Sequence, residues 1–499
     1  MNIITLLEMA ADAFPDRIAI ASDGRRIDYR ALLAAVQKAA AEVQEIGARY
    51  VAHLAVSSPA APIALFAAAL AGVPYVPLNY RLTADELSVL IARIEPAMLI
   101  ADEQYAASIR ISSANSFVER EQFVDRVLAA SPAPVLPAAD GSVAVQLFTS
   151  GTTGQPKAAI LRHTNLFSYI VGSVEFASAH AEEATLVSVP PYHIASVSAT
   201  LSSIYAGRRI VQMANFDALQ WLQLCRAEQV TNAFLVPTML SRIVDHGASC
   251  DETLELPYLR AIAYGGGRMP LSVIERAMTL FPGVAFTNAY GLTETSSTIC
   301  LLGPEDHRAA IGSVDPKIRR RLASVGRALP SVEITVRDHA GQPAGEEMSG
   351  RVFVRGPQVS GEYGGLGTVL DGEGWFDTRD RGYRDHEGYL FLEGRTDDVI
   401  VRGGENISPG EIEEVLLAHP SVRDAAVIGV PDDVWGEAVA AAVVLEHPDS
   451  LQAADLQAWV RDRLRSSRVP EQVRFVQTLP YNELGKLLRR RVRTDIFGN

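Results

Sequence analysis

Apolar and polar positions along this chain alternate in two periods. Tyr29 to Ile46 carries alanine and leucine at helical spacing, with charged residues between them, and predicts an amphipathic helix. Val51 to Val56, Val73 to Pro77 and Ala97 to Ala101 are short apolar runs bounded by turn residues, each predicting a buried strand separated from the next by a helix. The pattern resumes at Val143 to Phe148. It continues through Thr185 to Val189, Arg209 to Met213, Asn232 to Val236, Ala261 to Tyr264 and Ala285 to Ala289, each of these five preceded by a helical stretch. Strands alternating with helices predict an α/β fold on a largely parallel sheet. From Ser331 the pattern changes to hairpins, with Val332 to Asp338, a turn at His339 to Pro343, Gly350 to Arg355, and Tyr389 to Glu393. Beyond Arg395, strands near Val399 to Val401, Asp424 to Val430 and Ala438 to Leu445 mix with helices near Glu411 to His419 and Leu451 to Leu464, a compact α+β unit.

A length of 499 residues exceeds what one core usually organises, and 48% apolar content is ample for at least two domains. The formal charge of −14 argues against nonspecific nucleic-acid binding. Arg461 to Arg493 is locally basic, which suits either a solvated helix face or a site for a phosphorylated substrate such as CoA. Cys225, Cys250 and Cys300 lack metal-ligand spacing, and Met1 to Asp16 contains Glu8, Asp12 and Asp16 rather than the basic start of a signal peptide. The expectation is a cytoplasmic protein. The uncharged stretch between Arg49 and Arg81 is divided by Pro59, Pro62, Gly72, Pro74 and Pro77. Its apolar helix, Ile63 to Ala71, is far shorter than the ~20 residues a bilayer needs, so no membrane span is expected.

The densest candidate chemistry lies between Gln146 and Lys157. After the strand, Thr149, Ser150, Thr152 and Thr153 supply hydroxyls, Gly151 and Gly154 let backbone N–H groups turn inward, and Lys157 adds a mobile cation. This reads as a phosphate cradle. A Walker-type loop is excluded, because Gly151 and Gly154 are three apart and Pro156 precedes Lys157.

Leu147 to Ala159 resembles the phosphate loop of the adenylate-forming superfamily, which includes acyl-CoA and aryl-CoA ligases, nonribosomal adenylation domains and luciferases. Six further segments appear in that family's order: Tyr264-Gly-Gly-Gly267, Asn288-Ala-Tyr-Gly-Leu-Thr-Glu-Thr295, Trp375-Phe-Asp-Thr-Arg-Asp380, Gly394-Arg-Thr-Asp-Asp398, Arg402-Gly-Gly-Glu-Asn-Ile-Ser-Pro-Gly-Glu411 and Asn482-Glu-Leu-Gly-Lys486. The resemblance implies a large N-terminal domain, residues 1–394, of mostly parallel sheets with packed helices and a small β subdomain. It also implies a small mobile α+β C-terminal domain, residues 395–499, with a hinge at Asp397.

The resemblance also assigns roles. Thr149 to Gly154 and Lys157 would hold the β- and γ-phosphates of ATP, Glu294 magnesium, and Thr293 the α-phosphate. Gly265, Gly266, Gly267, Asn288, Tyr290 and Gly291 would lie along adenine or the acyl group. Asp380 would accept hydrogen bonds from the ribose, since an ionised carboxylate is acceptor-only. Arg395 would pair with the ribose or phosphate region, a structural ion pair at the domain joint being the alternative. Lys486, distant in sequence, would reach the phosphate only if carried there by a mobile domain; an ordinary basic tail is the other reading. Tyr192-His-Ile-Ala195 resembles the segment lining the acyl pocket, so Tyr192, His193, Ala195 and Ser196 are pocket candidates, with His193 either a gate, a substrate contact or a core histidine. Arg379 before Asp380, and Ala158 after Lys157, stand where many relatives carry glycine.

The implied reaction is activation of an aromatic or medium-length carboxylic acid by ATP and magnesium to an acyl-AMP, followed by transfer to CoA. Transfer to an amine or to a carrier-protein thiol is the alternative.

Overall fold

The apolar runs resolve into four sheets. The computed structural model describes all residues except 23, 132–133, 136–142, 150–155, 250–254, 404, 448–450, 483–484 and 499. Most of the proline-rich connector before the phosphate loop, and the loop itself from Ser150 to Gly154, therefore lie outside the described residues.

Nine strands form the first sheet, in the order Arg327–Ala328, Ser297–Leu302, Ala285–Leu292, Ala261–Gly265, Asn232–Leu235, Ala184–Val187, Arg209–Gln212, Ile18–Ser22 and Arg25–Asp28. The interior of this sheet is parallel, because most of its strands are joined through helices; antiparallel partners close both edges. The second sheet has eight strands in the order Gly367–Thr368, Glu362–Tyr363, Lys157–Arg162, Val143–Thr149, Tyr75–Pro77, Tyr50–Leu54, Ala97–Ala101 and Ser116–Glu119. Val143–Thr149 and Lys157–Arg162 pair antiparallel, so the phosphate loop is the connection of a hairpin, with Thr149 opposite Lys157.

The helix Tyr29–Glu45 starts on Asp28, whose Oδ1 accepts the Ala31 N–H at 2.7 Å, and it buries Tyr29, Leu32, Ala35, Val36, Ala39, Ala40 and Val43 along one face. It packs on the helix Ala60–Ala71, which is apolar all round and correspondingly buried, and which ends at Gly72 with φ +79°. Among the described residues, no helix is long and apolar enough to cross a membrane.

Glu333–Arg337, Gly350–Arg355, Phe376–Arg384 and Leu390–Arg395 form a four-stranded antiparallel sheet. A five-stranded sheet follows, built from Glu405–Ile407, Ile400–Arg402, Gly436–Leu445, Val422–Asp432 and Gln472–Phe475. Its two faces carry separate apolar clusters, one around Ile400, Ile412 and Val443, the other around Ile428, Ala440, Val492 and Phe497. Among the described residues, no apolar cluster mixes side chains from before and after Arg395.

The basic stretch from Arg461 to Arg493 is not a single solvated helix face. Arg489 is held in a pair with the buried Glu413 at 2.5 Å, and Arg468, Arg491 and Arg493 face carboxylates of their own. Arg463 lies over the Trp459 ring, 3.2 Å from its centroid. Arginine saturates these short-range contacts because its planar fork reaches carboxylates and rings alike.

Candidate active site

The strand Ala285–Leu292 brings Asn288, Tyr290 and Gly291 to the rim of the first sheet and passes into a 3₁₀ turn at Thr293–Thr295. The turn is tightly specified. A Cβ on Gly291 would lie 1.7 Å from the Ser297 carbonyl oxygen, so only glycine fits. Ser296 and Ser297 both have positive φ, +57° and +108°, and the Gln358 amide clamps them by donating to the carbonyls of Thr295 and Thr298 at 3.1 and 2.7 Å. Two consecutive serines at positive φ, the first of them fully buried, are backbone strain held in place by their surroundings. They present Glu294 to the cleft. Its Oε1 accepts the Tyr363 hydroxyl at 2.6 Å, and its backbone carbonyl accepts the Ser360 N–H at 2.8 Å.

Tyr363 stands on Glu362–Tyr363, which pairs with Ala159 on the strand that leaves the phosphate loop, and a bidentate Arg162–Glu362 pair at 2.8 and 2.9 Å fixes that register. Lys157 Nζ lies 5.7 Å from the Tyr363 ring centroid. Tyr363 thus joins the predicted metal carboxylate to the predicted phosphate lysine. Burial, followed by the charge of Glu294, raises its phenol above the usual range. Ala158 is buried beneath, its methyl 3.4 Å from where Gly364 would carry a Cβ, so this departure from glycine is accommodated.

Asp380 is the Cα partner of Arg395 across neighbouring strands. Its Oδ2 accepts the Tyr290 hydroxyl at 2.5 Å, and its Oδ1 faces Arg395 Nε at 3.5 Å. Thr378 accepts from Arg395 Nη2 at 3.1 Å through its carbonyl, while its hydroxyl oxygen accepts the Asp380 N–H at 3.1 Å. Burial raises the carboxyl; Arg395, the Tyr290 hydroxyl and Lys486 pull it back. Burial first, then Asp380, pushes the Tyr290 phenol well above its usual value. Arg379 takes the left-handed conformation that glycine would adopt freely, φ +60°, supported by its N–H donating to Asp377 at 3.0 Å. Its guanidinium stands 3.9 Å from Asp397.

Lys486 reaches this cleft from the far end of the chain. The Gly485 N–H donates to the Asn482 carbonyl at 2.9 Å, and the Asn482 side chain accepts the Lys486 N–H at 2.8 Å, so Asn482 holds both residues. Gly485 sits on the glycine segment. The Gly485 carbonyl oxygen lies 3.4 Å from where Gly267 would carry a Cβ, and a Cβ on Gly485 itself, at φ +68°, would strike Thr238 at 2.7 Å. Lys486 is open to the cleft by surface area, yet the protein mass around it desolvates the ammonium. Desolvation, then Arg395, lowers its pKa, while Asp380, Asp398 and Glu294 act against that. One lysine therefore feels Glu294, Asp380 and Arg395 together.

The remaining predicted residues occupy mixed positions. A Cβ on Gly265 would meet the Ala289 carbonyl oxygen at 2.2 Å, and Gly266 has φ +81°. Asn288 Nδ2 donates to the Ser324 carbonyl at 3.1 Å. The Tyr264 hydroxyl meets His307 Nε2 at 2.8 Å inside the core. His193 precedes the helix Ile194–Ala206, stacked at a tilt on Tyr192, whose ring meets Tyr80 edge-on. Its Nε2 is buried without a hydrogen-bond partner, and burial, with the charge of Arg81, pulls the imidazole down to about 3. Ser196 is buried on the same helix, Ala195 half-buried. Tyr363, Gln358 and His307 escape sequence reasoning. Of these, only Tyr363 leaves a trace, as an aromatic residue inside the glycine-rich Gly361 to Gly365.

Among the described residues, no three His, Cys, Asp or Glu side chains gather as a metal cage. Glu294 alone suits magnesium, which is bound through one or two carboxylates plus substrate phosphates rather than an all-protein cage.

A parallel α/β body that presents Tyr290 and Glu294 where one of its strands ends, with Asp380 on the adjoining antiparallel sheet and a lysine supplied by a separate C-terminal unit, is the architecture of an adenylate-forming enzyme. Residues 7–364 match the AMP-binding enzyme family and residues 411–486 its C-terminal domain; the chain belongs to the AMP-binding enzymes. A feruloyl-CoA synthase from Amycolatopsis sp is 32% identical over 96% of this chain and 96% of its own length. The structure of o-succinylbenzoate CoA synthetase from Bacillus subtilis, in complex with its acyl-adenylate intermediate, is 28% identical, with a TM-score of 0.82 over 98% of this chain and 97% of that one. An amide bond synthetase from Marinactinospora thermotolerans is 27% identical, with a TM-score of 0.85 over 99% of each chain.

Proposed function

We propose that this chain joins a carboxylic acid to AMP, releasing pyrophosphate, and then passes the acyl group to the thiol of CoA. The observation that carries the proposal is that the Lys486 loop, from the far end of the chain, rests against Gly267, where the ammonium is coupled to the Asp380–Arg395 pair and to Glu294. Attack of a carboxylate on the α-phosphate brings two anions together, so fixed positive charge must face the developing oxyanion. Lys486 supplies it, with Arg395 behind, while Lys157, Thr149 and the loop to Gly154 take the departing phosphates and Thr293 the α-phosphate. Asp380 keeps lone pairs for the ribose hydroxyls beyond the one used by Tyr290. Glu294, steadied by Tyr363, would hold magnesium, which neutralises charge on the phosphate oxygens when bound.

Residues 1–394 form the acid- and ATP-binding domain and residues 395–499 the mobile one, turning about Asp397 between steps. The turn brings Gly403 to the site. Gly403 has φ +57°, and a Cβ there would lie 2.8 Å from Trp435, so the approach requires glycine. Tyr192, His193, Ala195 and Ser196 line the acyl pocket, where His193 stays neutral and transfers no proton. A room of small side chains beside aromatic rings suits an aromatic or medium-length acid. The two buried thiols, Cys225 and Cys300, suit a reducing cytoplasm.

The amide bond synthetase likeness supports a second reading, in which an amine takes the acyl group. Incubation with ATP, magnesium and an acid library, with CoA, amines or a carrier protein supplied separately, decides between them by product mass. Thioester without amide supports the ligase, and amide without CoA supports the second reading. Absence of any hydroxylamine-trapped acyl group would remove both.

A further inference from the structure

The seam between the two bodies holds a cavity of about 510 Å³ lined by Arg268, Arg320, Glu393 and Glu411 together with Phe391 and Leu392. With no apolar cluster shared across it among the described residues, polar contacts are left to set the orientation of the C-terminal body. One of them has the geometry to do so. Arg268 Nη1 donates to the Gly410 carbonyl at 2.8 Å and Nη2 to Glu414 Oε2 at 2.8 Å, gripping the start of the helix Pro409–Leu417 with both arms of one guanidinium. Gly410 is fitted to this grip, since a Cβ there would lie 2.9 Å from Arg268 Nη1 and 2.8 Å from the Glu393 carbonyl oxygen.

Arg268 directly follows Gly267, the residue on which the Lys486 loop rests. A single short segment thus touches the glycine-lined side of the cleft, the loop bearing the lysine, and the helix that anchors its domain. We propose that Arg268 is a positioning residue for the adenylation step, holding the C-terminal domain in the arrangement that keeps Lys486 in the cleft. This rests on the function proposed above. Any rotation that withdraws Lys486 breaks both Arg268 bonds, so the residue stabilises one arrangement and not the other. A lysine, being a point donor, cannot span the carbonyl and the carboxylate together.

Arg268→Ala and Gly410→Ala attack the contact from opposite sides, and Arg268→Lys keeps the charge without the fork. The two alanine variants are expected to slow acyl-AMP formation about tenfold, the scale of one charge-assisted hydrogen bond, with Arg268→Lys intermediate. Transfer from pre-made acyl-AMP to CoA should be unchanged or faster. Equal slowing of both steps overturns the proposal. So does unchanged adenylation, or a raised KM for the acid at unchanged kcat. A readout independent of substrate is the distance between spin labels at Val314→Cys and Val434→Cys, both strongly exposed, in a Cys250→Ser background with AMP present. The wild-type distance should lose population about tenfold relative to other distances in Arg268→Ala. An unaltered distribution overturns the latch. If the wild type makes no acyl-AMP from any acid, the functional reading fails, while the label distances still test the latch.

Discussion

Replacing Tyr290 by Phe removes one hydroxyl and keeps the flat ring face, which separates the two uses this residue can have. The lost bond is the 2.5 Å donation to Asp380, a carboxyl that burial already pushes upward. Hydrogen bonds to charged groups contribute about 1.5–3 kcal/mol. Losing that donor removes one of the groups that hold Asp380 down, so the variant's carboxyl should rise further. The sign follows from the ligand. A protonated Asp380 loses its acceptor-only character and grips ribose hydroxyls less well, so ATP binding fails on the acid side. Tyr290→Phe should therefore raise KM for ATP about tenfold and move the acid limb of kcat/KM for ATP to higher pH. The assay is pyrophosphate release against pH at subsaturating ATP. Superimposable acid limbs for variant and wild type would refute the reasoning, because they would mean that the phenol does not hold the carboxylate in its ionised form.

Tyr363→Phe frees Glu294 of its 2.6 Å donor and should raise the magnesium concentration needed for half-maximal pyrophosphate release several-fold; an unchanged magnesium dependence removes Tyr363 from the metal site. His53 is fully buried on Tyr50–Leu54 with neither ring nitrogen hydrogen-bonded, and burial, with the Arg120 charge, pulls it down to about 3. The unfolded chain takes up that proton near pH 6.5 and the native one not until about 3, so stability is lost as pH falls through this window, by up to roughly 5 kcal/mol. His53→Leu should flatten the thermal midpoint against pH between 6.5 and 4, and parallel slopes would exclude this source. Arg489→Ala strips the buried Glu413 of its partner and should destabilise the C-terminal unit by about 3–5 kcal/mol, read by denaturant unfolding; a loss below about 1 kcal/mol would show that the pair is dispensable.

Strands flanked by polar residues were legible in the sequence almost residue for residue. Ala97–Ala101 and Gly350–Arg355 coincide with their predicted strands, the first because a strand buried on both faces is continuously apolar, the second because a half-buried antiparallel strand alternates buried with more exposed residues. The division into two large sheets was not legible. Ile18–Ser22 pairs with Arg209–Gln212, nearly two hundred residues away, and local periodicity carries no record of its partner. The site behaves in the same way. Asp380 and Lys486 stood out by their motifs, but Tyr363 and Arg268 act through bonds that join separate segments, to Glu294 and to Gly410. The left-handed backbone at Arg379 was foreshadowed by a glycine expected there, whereas that at Ser296 and Ser297 had no signal, since serine carries no conformational preference for it.

Lys486→Ala offers the most direct measurement, with the two half-reactions followed separately on one preparation. If Lys486 supplies charge to the phosphate while its domain is docked as described, acyl-AMP formation should fall by about two to three orders of magnitude, while conversion of pre-made acyl-AMP and CoA to thioester stays near the wild-type rate. Equal loss of both half-reactions, or retention of both, would contradict the role given to this lysine and to the cleft it shares with Asp380, Arg395 and Glu294.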